Sequence, residues 1–179
     1  GFFTAKQAES AGFDRTNHSY HVRTGKWTRE HRGIYRVTQY PTPLEADLIL
    51  WSLWSRNLED VPQGVYSHAT ALRIYDLSDI MPVKIHQTVP QKFRRGAEIP
   101  KALVLHRANL SPVDIEEREG FRVTRPLRTL RDLIAEGGLS RDLLKQAFGE
   151  ARDRGLITEK ETRSAGFPAW LWGGMEGKK

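Results

Sequence analysis

Hydrophobic and polar positions in the first forty residues follow two short helices and a hairpin. Thr4, with Gln7 three residues later, forms a capping-box pattern that predicts a helix ending near Ser10. Asp14 is a favourable N-cap for a second helix, over residues 14–24, and Gly25 takes its C′ position. The runs WTRE and IYRV contain aromatic and β-branched residues and flank the turn sequence HRG, which predicts a hairpin.

This order of helix, tight turn, helix and hairpin predicts a winged helix-turn-helix domain over residues 1–40. The fold normally has a helix before these two, and we expect that helix upstream of Gly1. The stretch QYPTP interrupts the pattern and predicts a domain boundary near 38–43.

The pattern after this boundary predicts a second domain, over residues 41–179, that mixes helices with a mainly antiparallel sheet. Thr42 with Pro43 predicts the start of a helix whose apolar stripe includes Leu44, Leu48 and Leu58. Ser67 predicts another helix start, following a short strand at 65–66. Further strands are predicted at 84–89, 102–107 and 121–124, and further helices at 126–135, at 141–154 and from Thr158. The fold class is therefore α+β, and the tail from Gly166 is left unassigned.

Composition and charge narrow the classes of function. The chain has no Cys, which excludes disulfides and thiol nucleophiles and agrees with a cytoplasmic location. No apolar stretch is long enough to span a membrane. Residues 1–40 carry seven Lys and Arg against three acids, and residues 91–131 carry ten against five. Two basic segments within a chain of net charge +6 favour a polyanionic partner, although a solvated surface with chance clustering gives the same count.

Motifs for catalysis are absent from the sequence. It contains no phosphate-binding loop, dinucleotide fingerprint, zinc-protease motif or nucleophile elbow. His68, His86 and His106 are far apart along the chain and have no carboxylate at metal-ligand spacing, so we predict neither a metal site nor a cofactor. The acidic run DIEEREGFR at 114–122 reads as a solvated loop rather than a nuclease site. We therefore predict that the chain is not an enzyme.

The first domain carries the residues expected to contact double-stranded DNA. A recognition helix directs its N-terminal side chains at base edges, and here these are Arg15, Thr16, Asn17 and Ser19. Cations on the hairpin are placed to neutralise phosphates, and these are Lys26, Arg29 and Arg32. His18 and His21 stand where such a helix turns residues inward, so we interpret them as packing residues. The alternative is that the helix and hairpin residues named here for DNA contact form an ordinary exposed polar face that binds no ligand.

The segments FFTAKQAESAGFDR and GKWTREHRGIYRV resemble the N-terminal domain of AbiEi-type antitoxins of type IV toxin–antitoxin systems. The later segments SHATALRIYDLSD, IHQTVP and FRVTRPLRTLRDLI extend the resemblance to about residue 135. The resemblance implies a repressor that binds operator inverted repeats in its own promoter. It also implies that the second domain counters a nucleotidyltransferase-like toxin without a stable complex. It places His31 with Arg29 and Arg32 on the wing, and Ser67 in a motif of the second domain, where we interpret Ser67 as a helix cap rather than a catalyst.

Charge suggests which surface of the second domain carries the antitoxin function, because the toxin would act on anionic substrates. The candidates come from the second basic segment and are Arg94, Arg95, Arg122, Arg125 and Arg128. Two other functions stay open at this point. One is a stand-alone winged-helix transcription factor whose C-terminal domain senses a ligand. The other is a nuclease or transferase that uses the acidic run or the histidines.

Overall fold

The computed structural model describes residues 1–172, and the N-terminal part forms a three-stranded antiparallel sheet with three helices. The strands are β1 (Phe2–Thr4), β2 (Trp27–His31) and β3 (Ile34–Val37), in the order β1-β3-β2. The helices are α1 (Ala5–Ser10), α2 (His18–Arg23) and α3 (Ala46–Trp54). A 3₁₀ turn, Arg15–Asn17, leads directly into α2.

The cap at Thr4 forms as the sequence predicts, whereas the α-helix predicted to start at Asp14 begins only at His18, after a 3₁₀ turn. The Thr4 hydroxyl accepts a hydrogen bond from the Gln7 amide, and the Gln7 side chain accepts one from the Thr4 amide, which completes the capping box. Asp14 accepts from the Thr16 amide and caps the 3₁₀ turn. Gly25 has φ +72° after the end of α2, a conformation that a residue with a Cβ rarely adopts. Strand β1, which pairs Phe3 with Tyr35, lies outside the predicted pattern.

Helix α3 begins later than predicted. The Ala46 amide donates to the Pro43 carbonyl at 3.1 Å, which closes a tight turn where the sequence suggests the first helical turn. Helical bonding starts with Ile49 donating to Glu45, and the N-cap residue Glu45 makes no side-chain cap. Leu44 and Leu58, placed in the predicted apolar stripe, are 98% and 99% exposed. The prediction of a start at Thr42 was wrong because the proline fixes a turn rather than a helix start here.

The C-terminal part contains a five-stranded sheet covered by helices. Its strands are β4 (Val65–Tyr66), β5 (Ile85–Val89), β6 (Leu103–Arg107), β7 (Ile115–Arg118) and β8 (Phe121–Thr124). Its helices are α4 (His68–Tyr75), α5 (Pro126–Glu136), α6 (Arg141–Asp153) and α7 (Glu159–Ser164), with 3₁₀ turns at Pro112–Asp114 and Ala169–Leu171. Buried apolar side chains from the sheet and helices form the core, among them Tyr66, Leu72, Val89, Val123 and Leu130.

The larger sheet is mixed, so the prediction of a mainly antiparallel sheet was wrong. The strand order is β6-β5-β4-β8-β7. Strand β5 runs antiparallel to β4 but parallel to β6, and β4 runs parallel to β8 through the pair Tyr66 and Val123. The connection between β5 and β6 has the length that a parallel crossover needs. Strand β7 lies in the acidic run that was predicted to be a loop.

The chain divides into two compact units. Unit 1 comprises Gly1–Gly64 with Arg118–Phe121, and unit 2 comprises Val65–Glu117 with Arg122–Lys179. Helix α3 contacts all three strands of the small sheet and belongs to unit 1. The division of function between residues 1–40 and 41–179 stays a prediction. Within residues 1–172, none of the helices has the length and apolar character needed to cross a membrane.

Candidate nucleic-acid interface

The turn Arg15–Asn17 and the start of α2 present the predicted base-reading side chains. Arg15, Asn17 and Ser19 are exposed, and the Arg15 side chain lies 3.8 Å from the Glu9 carboxylate with 80% of its surface open. Asn17 stands at the N-cap of α2 but makes no side-chain cap there. Its amide group is therefore available to bond elsewhere. All three are exposed polar residues of unit 1 within five consecutive positions.

Thr16 has a different environment from its neighbours. Its hydroxyl donates to Asp14 Oδ1 at 2.6 Å, and its amide donates to the same oxygen at 2.8 Å. These two bonds favour the charged form of the carboxyl and lower the pKa of Asp14. The Thr16 hydroxyl is thus engaged as a donor in the cap and keeps only its lone pairs for a ligand.

Aromatic packing fixes the position of α2 on the small sheet. His18 is buried and its Nε2 lies 3.2 Å from the Phe13 carbonyl oxygen. The His21 ring stacks on Trp27 with centroids 4.6 Å apart, and Phe13 meets Trp27 edge-on at 5.2 Å. The Trp27 ring also contacts Tyr35 on β3. The inward histidines therefore hold the helix, and its outer face is left to polar residues.

Tyr20 and Arg23 belong to that outer face but were not identified from the sequence. Both are exposed, and the Arg23 guanidinium lies 5.9 Å from the centre of the Tyr20 ring. Their spacing of three residues places them on one side of a helix, and this was the signal available in the sequence. A Tyr with a cation beside it suits contact with DNA sugars and phosphates.

The hairpin carries its cations at the positions predicted for the wing. Lys26, Arg29 and Arg32 are exposed, and Gly33 completes the turn with φ +70°. The register shifts between Arg29 and His31, so the strand is irregular next to the tip. His31 is only half-exposed, and its ring meets Trp51 of α3 edge-on at 5.8 Å. The His31 ring is thus turned toward α3, whereas the three cations face solvent.

The five arginines proposed for the antitoxin surface lie in unit 2 in different environments. Arg94 and Arg125 are exposed, whereas Arg95, Arg122 and Arg128 are half-buried. Arg128 bonds Asp132 at 2.8 Å and Asp114 at 3.1 Å. Arg125 Nε donates to the Ile115 carbonyl oxygen at 3.1 Å. Arg128 is therefore part of an internal ion-pair network, and Arg94 is the most freely presented of the set.

Three histidines that are distant in sequence meet in unit 2. His68 begins α4, His86 lies on β5 and His106 on β6, and their rings lie within 6.1 Å of one another, centre to centre. Burial, followed by the neighbouring charges of His106, His86 and Arg128, lowers the pKa of His68 to about 3. Burial is also the main cause that lowers the pKa of His86 and of His106. All three imidazoles are therefore neutral at pH 7.

Ser67 does not cap α4 through its side chain, contrary to the role suggested for it. Its hydroxyl is buried and lies 2.9 Å from His68 Nδ1, and it accepts a hydrogen bond from the Thr88 hydroxyl at 2.8 Å. The residue occupies the N-cap position, but its oxygen belongs to the histidine cluster. The sequence could not show this because Thr88 comes from β5, far from Ser67 along the chain.

Comparison with known proteins agrees with the N-terminal resemblance and with the fold. No curated protein has a matching sequence. The crystal structure of the RV2827C protein from Mycobacterium tuberculosis superposes with a TM-score of 0.58 at 14% identity, over 96% of this chain and 68% of that chain. This likeness, with the helices and strands seen here, confirms the α+β class. Residues 1–38 match the family model described as "Transcriptional regulator, AbiEi antitoxin", so the resemblance to AbiEi-type antitoxins is confirmed over that segment.

Proposed function

We propose that the chain is a DNA-binding transcriptional regulator whose residues 1–40 act as a winged helix-turn-helix. The observation that carries the proposal is the exposed polar set on one helix start and one hairpin, in a segment similar to a regulator family. The packing of His18 and His21 against Trp27 supports it, because a helix held from behind keeps its outer residues in fixed positions. Major-groove readers need this combination of a rigid helix and exposed donors.

The polar side chains divide into two roles under this proposal. Arg15 and Asn17 contact base edges, since guanidinium and amide groups pair bidentately with guanine and adenine. Lys26, Arg29 and Arg32 contact phosphates and supply affinity that does not depend on sequence. Tyr20 and Arg23 border the groove. The expected binding sites are inverted repeats in the promoter of the protein's own operon.

Selection from random double-stranded DNA tests the proposal and identifies the operator sequence in the same experiment. The purified chain should enrich a discrete sequence motif over successive rounds, and fluorescence anisotropy should then give tighter binding to the motif than to scrambled DNA. Arg73→Ala is the matched control for later arginine variants, because Arg73 is exposed on α4 in unit 2. If the folded protein enriches no motif, the proposal of a sequence-specific DNA-binding regulator is wrong.

We further propose that the protein is the antitoxin of a type IV system and that unit 2 counters a nucleotidyltransferase-like toxin without a stable complex. The resemblance that extends beyond residue 40 supports this. The test is co-expression with a toxin of that class encoded beside this gene. Growth should recover when the whole chain is co-expressed and should not recover with an empty vector. If growth stays arrested when the whole chain is present, the antitoxin proposal is wrong and only the proposal of a transcriptional regulator is left.

We propose that these activities rest on binding rather than catalysis. In support, the sequence holds none of the motifs of nucleotide, nuclease or hydrolase chemistry. The acidic run at 114–122 contributes Asp114 to the Arg128 ion pair and Glu116 to a hydrogen bond from Tyr75 at 2.9 Å. Incubation with labelled DNA and RNA in Mg²⁺ and in Mn²⁺ should yield no product above that of a boiled sample.

A further inference from the structure

We propose that His68 Nε2, His106 Nδ1 and the Glu136 carboxylate form a binding site for a transition-metal dication of the Zn²⁺ class. The three groups offer ligand atoms that all lie within 4.8 Å of one another. They come from the start of α4, from β6 and from the end of α5. This inference is independent of DNA binding, because every residue in it belongs to unit 2.

Distances among the three groups suit ligands around a shared ion better than a set of hydrogen bonds. Glu136 Oε2 lies 3.9 Å from His68 Nε2, and Glu136 Oε1 lies 3.8 Å from His106 Nδ1. Both separations are too long for a hydrogen bond. A cation between these atoms would be coordinated by two nitrogens and one carboxylate. Imidazole nitrogen with carboxylate oxygen is a ligand set that suits Zn²⁺, whereas Mg²⁺ and Ca²⁺ prefer oxygen alone.

Each imidazole has a partner for the nitrogen that would not bind the metal. His68 Nδ1 lies 2.9 Å from the Ser67 hydroxyl, and His106 Nε2 lies 2.9 Å from His86 Nδ1. Protons on these two outer nitrogens can be donated to the two acceptors, which leaves His68 Nε2 and His106 Nδ1 with lone pairs for a metal. Such outer partners fix the tautomer and orientation of metal-binding histidines. Their presence makes the cluster more than a chance meeting of side chains.

The backbone of His68 adds an independent observation. Its φ of +52° is in the left-handed region, which a non-glycine residue occupies at a cost in energy. This conformation stands at the junction of β4 and α4, where His68 meets His86 and His106 from neighbouring strands. A strained residue whose side chain enters a cluster of ligand atoms is typical of a functional site.

Metal binding requires one rearrangement of the rings. His68 and His106 stack with centroids 3.6 Å apart and planes 13° from parallel, so the two rings do not direct their nitrogens at a common point. One ring must therefore rotate out of the stack to direct its nitrogen at a shared ion; that ring gives up its outer hydrogen bond, and the other ring keeps its partner. Glu136 is 43% exposed at the end of its helix, which gives an ion a route from solvent and leaves room for a water ligand.

Calorimetric titration of ZnCl₂ into the tag-free protein, previously dialysed against a chelator, tests the proposal. We expect saturable binding of one ion, and titration with CoCl₂ should give the visible absorption of a tetrahedral site. Glu136→Gln and His106→Gln should each weaken Zn²⁺ binding by at least about 10-fold, since even second-layer changes cost that much. Glu150→Gln removes an equal charge from an exposed position on α6 and should bind as the parent does.

Two further measurements separate metal loss from misfolding. Circular dichroism in chelator should show all three variants folded, and Zn²⁺ should raise the Tm of the parent and of Glu150→Gln but not of Glu136→Gln. If His106→Gln does not fold, the test of the metal site rests on Glu136→Gln alone, because the Glu136 side chain is partly exposed and its replacement should not disturb folding. Rotation of the rings should also shift the histidine ring-proton resonances of the parent on adding Zn²⁺. No saturable binding by the parent, or equal binding by Glu136→Gln, would overturn the site.

Discussion

Under the proposed function, specific DNA recognition would depend on a few side chains in the turn that leads into α2. Replacing Arg15 or Asn17 with Ala should weaken binding to the selected motif by about 1–3 kcal/mol, the value of a bidentate base contact. Binding to random DNA should change much less. Fluorescence anisotropy on both DNAs gives the difference, with Arg73→Ala as the unchanged control. Equal losses on both DNAs would instead identify these residues as phosphate contacts.

The neutral histidines of unit 2 make stability depend on pH. His68 faces His106 on β6, His86 on β5, and Arg128 and Glu136 on α5, and its pKa falls from the ordinary 6.5 to about 3. Below pH 6.5 the His68 imidazole therefore binds a proton in the unfolded chain but stays neutral in the folded chain. Stability is fully present above pH 6.5 and is lost as the pH falls toward 3. His86 and His106 act in the same direction.

This effect should be visible in denaturant unfolding of the chelator-treated protein. Between pH 7 and pH 5, His68 alone should lower the free energy of unfolding by about 2 kcal/mol. The measurement is urea unfolding followed by circular dichroism at the two pH values. A His68→Phe variant, which keeps an aromatic ring but has no proton to bind, should show a smaller change. An unchanged free energy of unfolding at pH 5 would contradict the burial argument.

At the scale of elements, the turn at Gly120 has a steric requirement that can be tested. Its φ is +84°, and a Cβ there would lie 2.9 Å from Ile49 Cγ1 of α3. Gly12 has φ +91° but no atom within 4 Å of such a Cβ. Gly12→Ala should therefore cost only backbone strain, about 1–2 kcal/mol. Gly120→Ala should cost about 1–3 kcal/mol more because of overpacking. Thermal unfolding of the two variants compares their losses of stability. Equal losses would show that α3 shifts to make room for the added methyl group.

Local signals explain which elements could be predicted from the sequence. The caps at Thr4 and Thr158 and the turn at Gly33 act within a few residues, and their elements form as predicted. Asp14 also makes its cap, but it caps a 3₁₀ turn, and α2 follows only from His18. The parallel pairing of β5 with β6 was missed because it depends on the path of the segment between the two strands, which the local sequence does not specify. The start of α3 was misplaced because Pro43 suits a turn as well as a first helical turn.

The same distinction applies to the candidate sites. The residues proposed to contact DNA could be named from the sequence because they lie within one helix start and one hairpin; the exposed Tyr20 and Arg23 were not among them. The histidine cluster was not predicted, because His68, His86, His106 and Glu136 come from four elements. Only the sheet order, which places β6 beside β5 and β5 beside β4, brings them together. No spacing rule along the chain describes that arrangement.

At the scale of the whole molecule, the wing should supply affinity rather than sequence choice. If Arg15, Lys26, Arg29 and Arg32 neutralise four phosphates, log K should fall with log salt at a slope of about −3.6 per bound domain. Arg32→Ala should make the slope shallower by about one unit and weaken binding equally on motif and random DNA. Loss confined to A·T-rich sites would mean that Arg32 reads a narrow minor groove. An unchanged slope and affinity would mean that the tip does not touch DNA.

The exposed arginines proposed for the antitoxin function offer a second test at this scale. Arg94→Glu and Arg125→Glu reverse the charge of exposed residues, whereas Arg128 is held by two carboxylates and is unsuitable. If these residues carry the antitoxin function, the double variant should lose rescue of toxin-expressing cells while its motif binding is unchanged. Arg73→Glu should rescue as the parent does. Intact rescue by the double variant would place the function elsewhere in unit 2.

The parallel pairing of β4 with β8 has a consequence for synthesis on the ribosome. Tyr66 meets its partner Val123 more than fifty residues later, and the segment Arg118–Phe121 belongs to unit 1. Neither unit is therefore complete until the β7–β8 hairpin has left the exit tunnel. Until then the growing chain presents β4 with one edge open, and an open strand edge is where nascent chains aggregate or recruit chaperones. Translation pauses that hold the β7–β8 hairpin inside the exit tunnel should therefore lower the yield of soluble protein more than pauses that begin after the hairpin has left it.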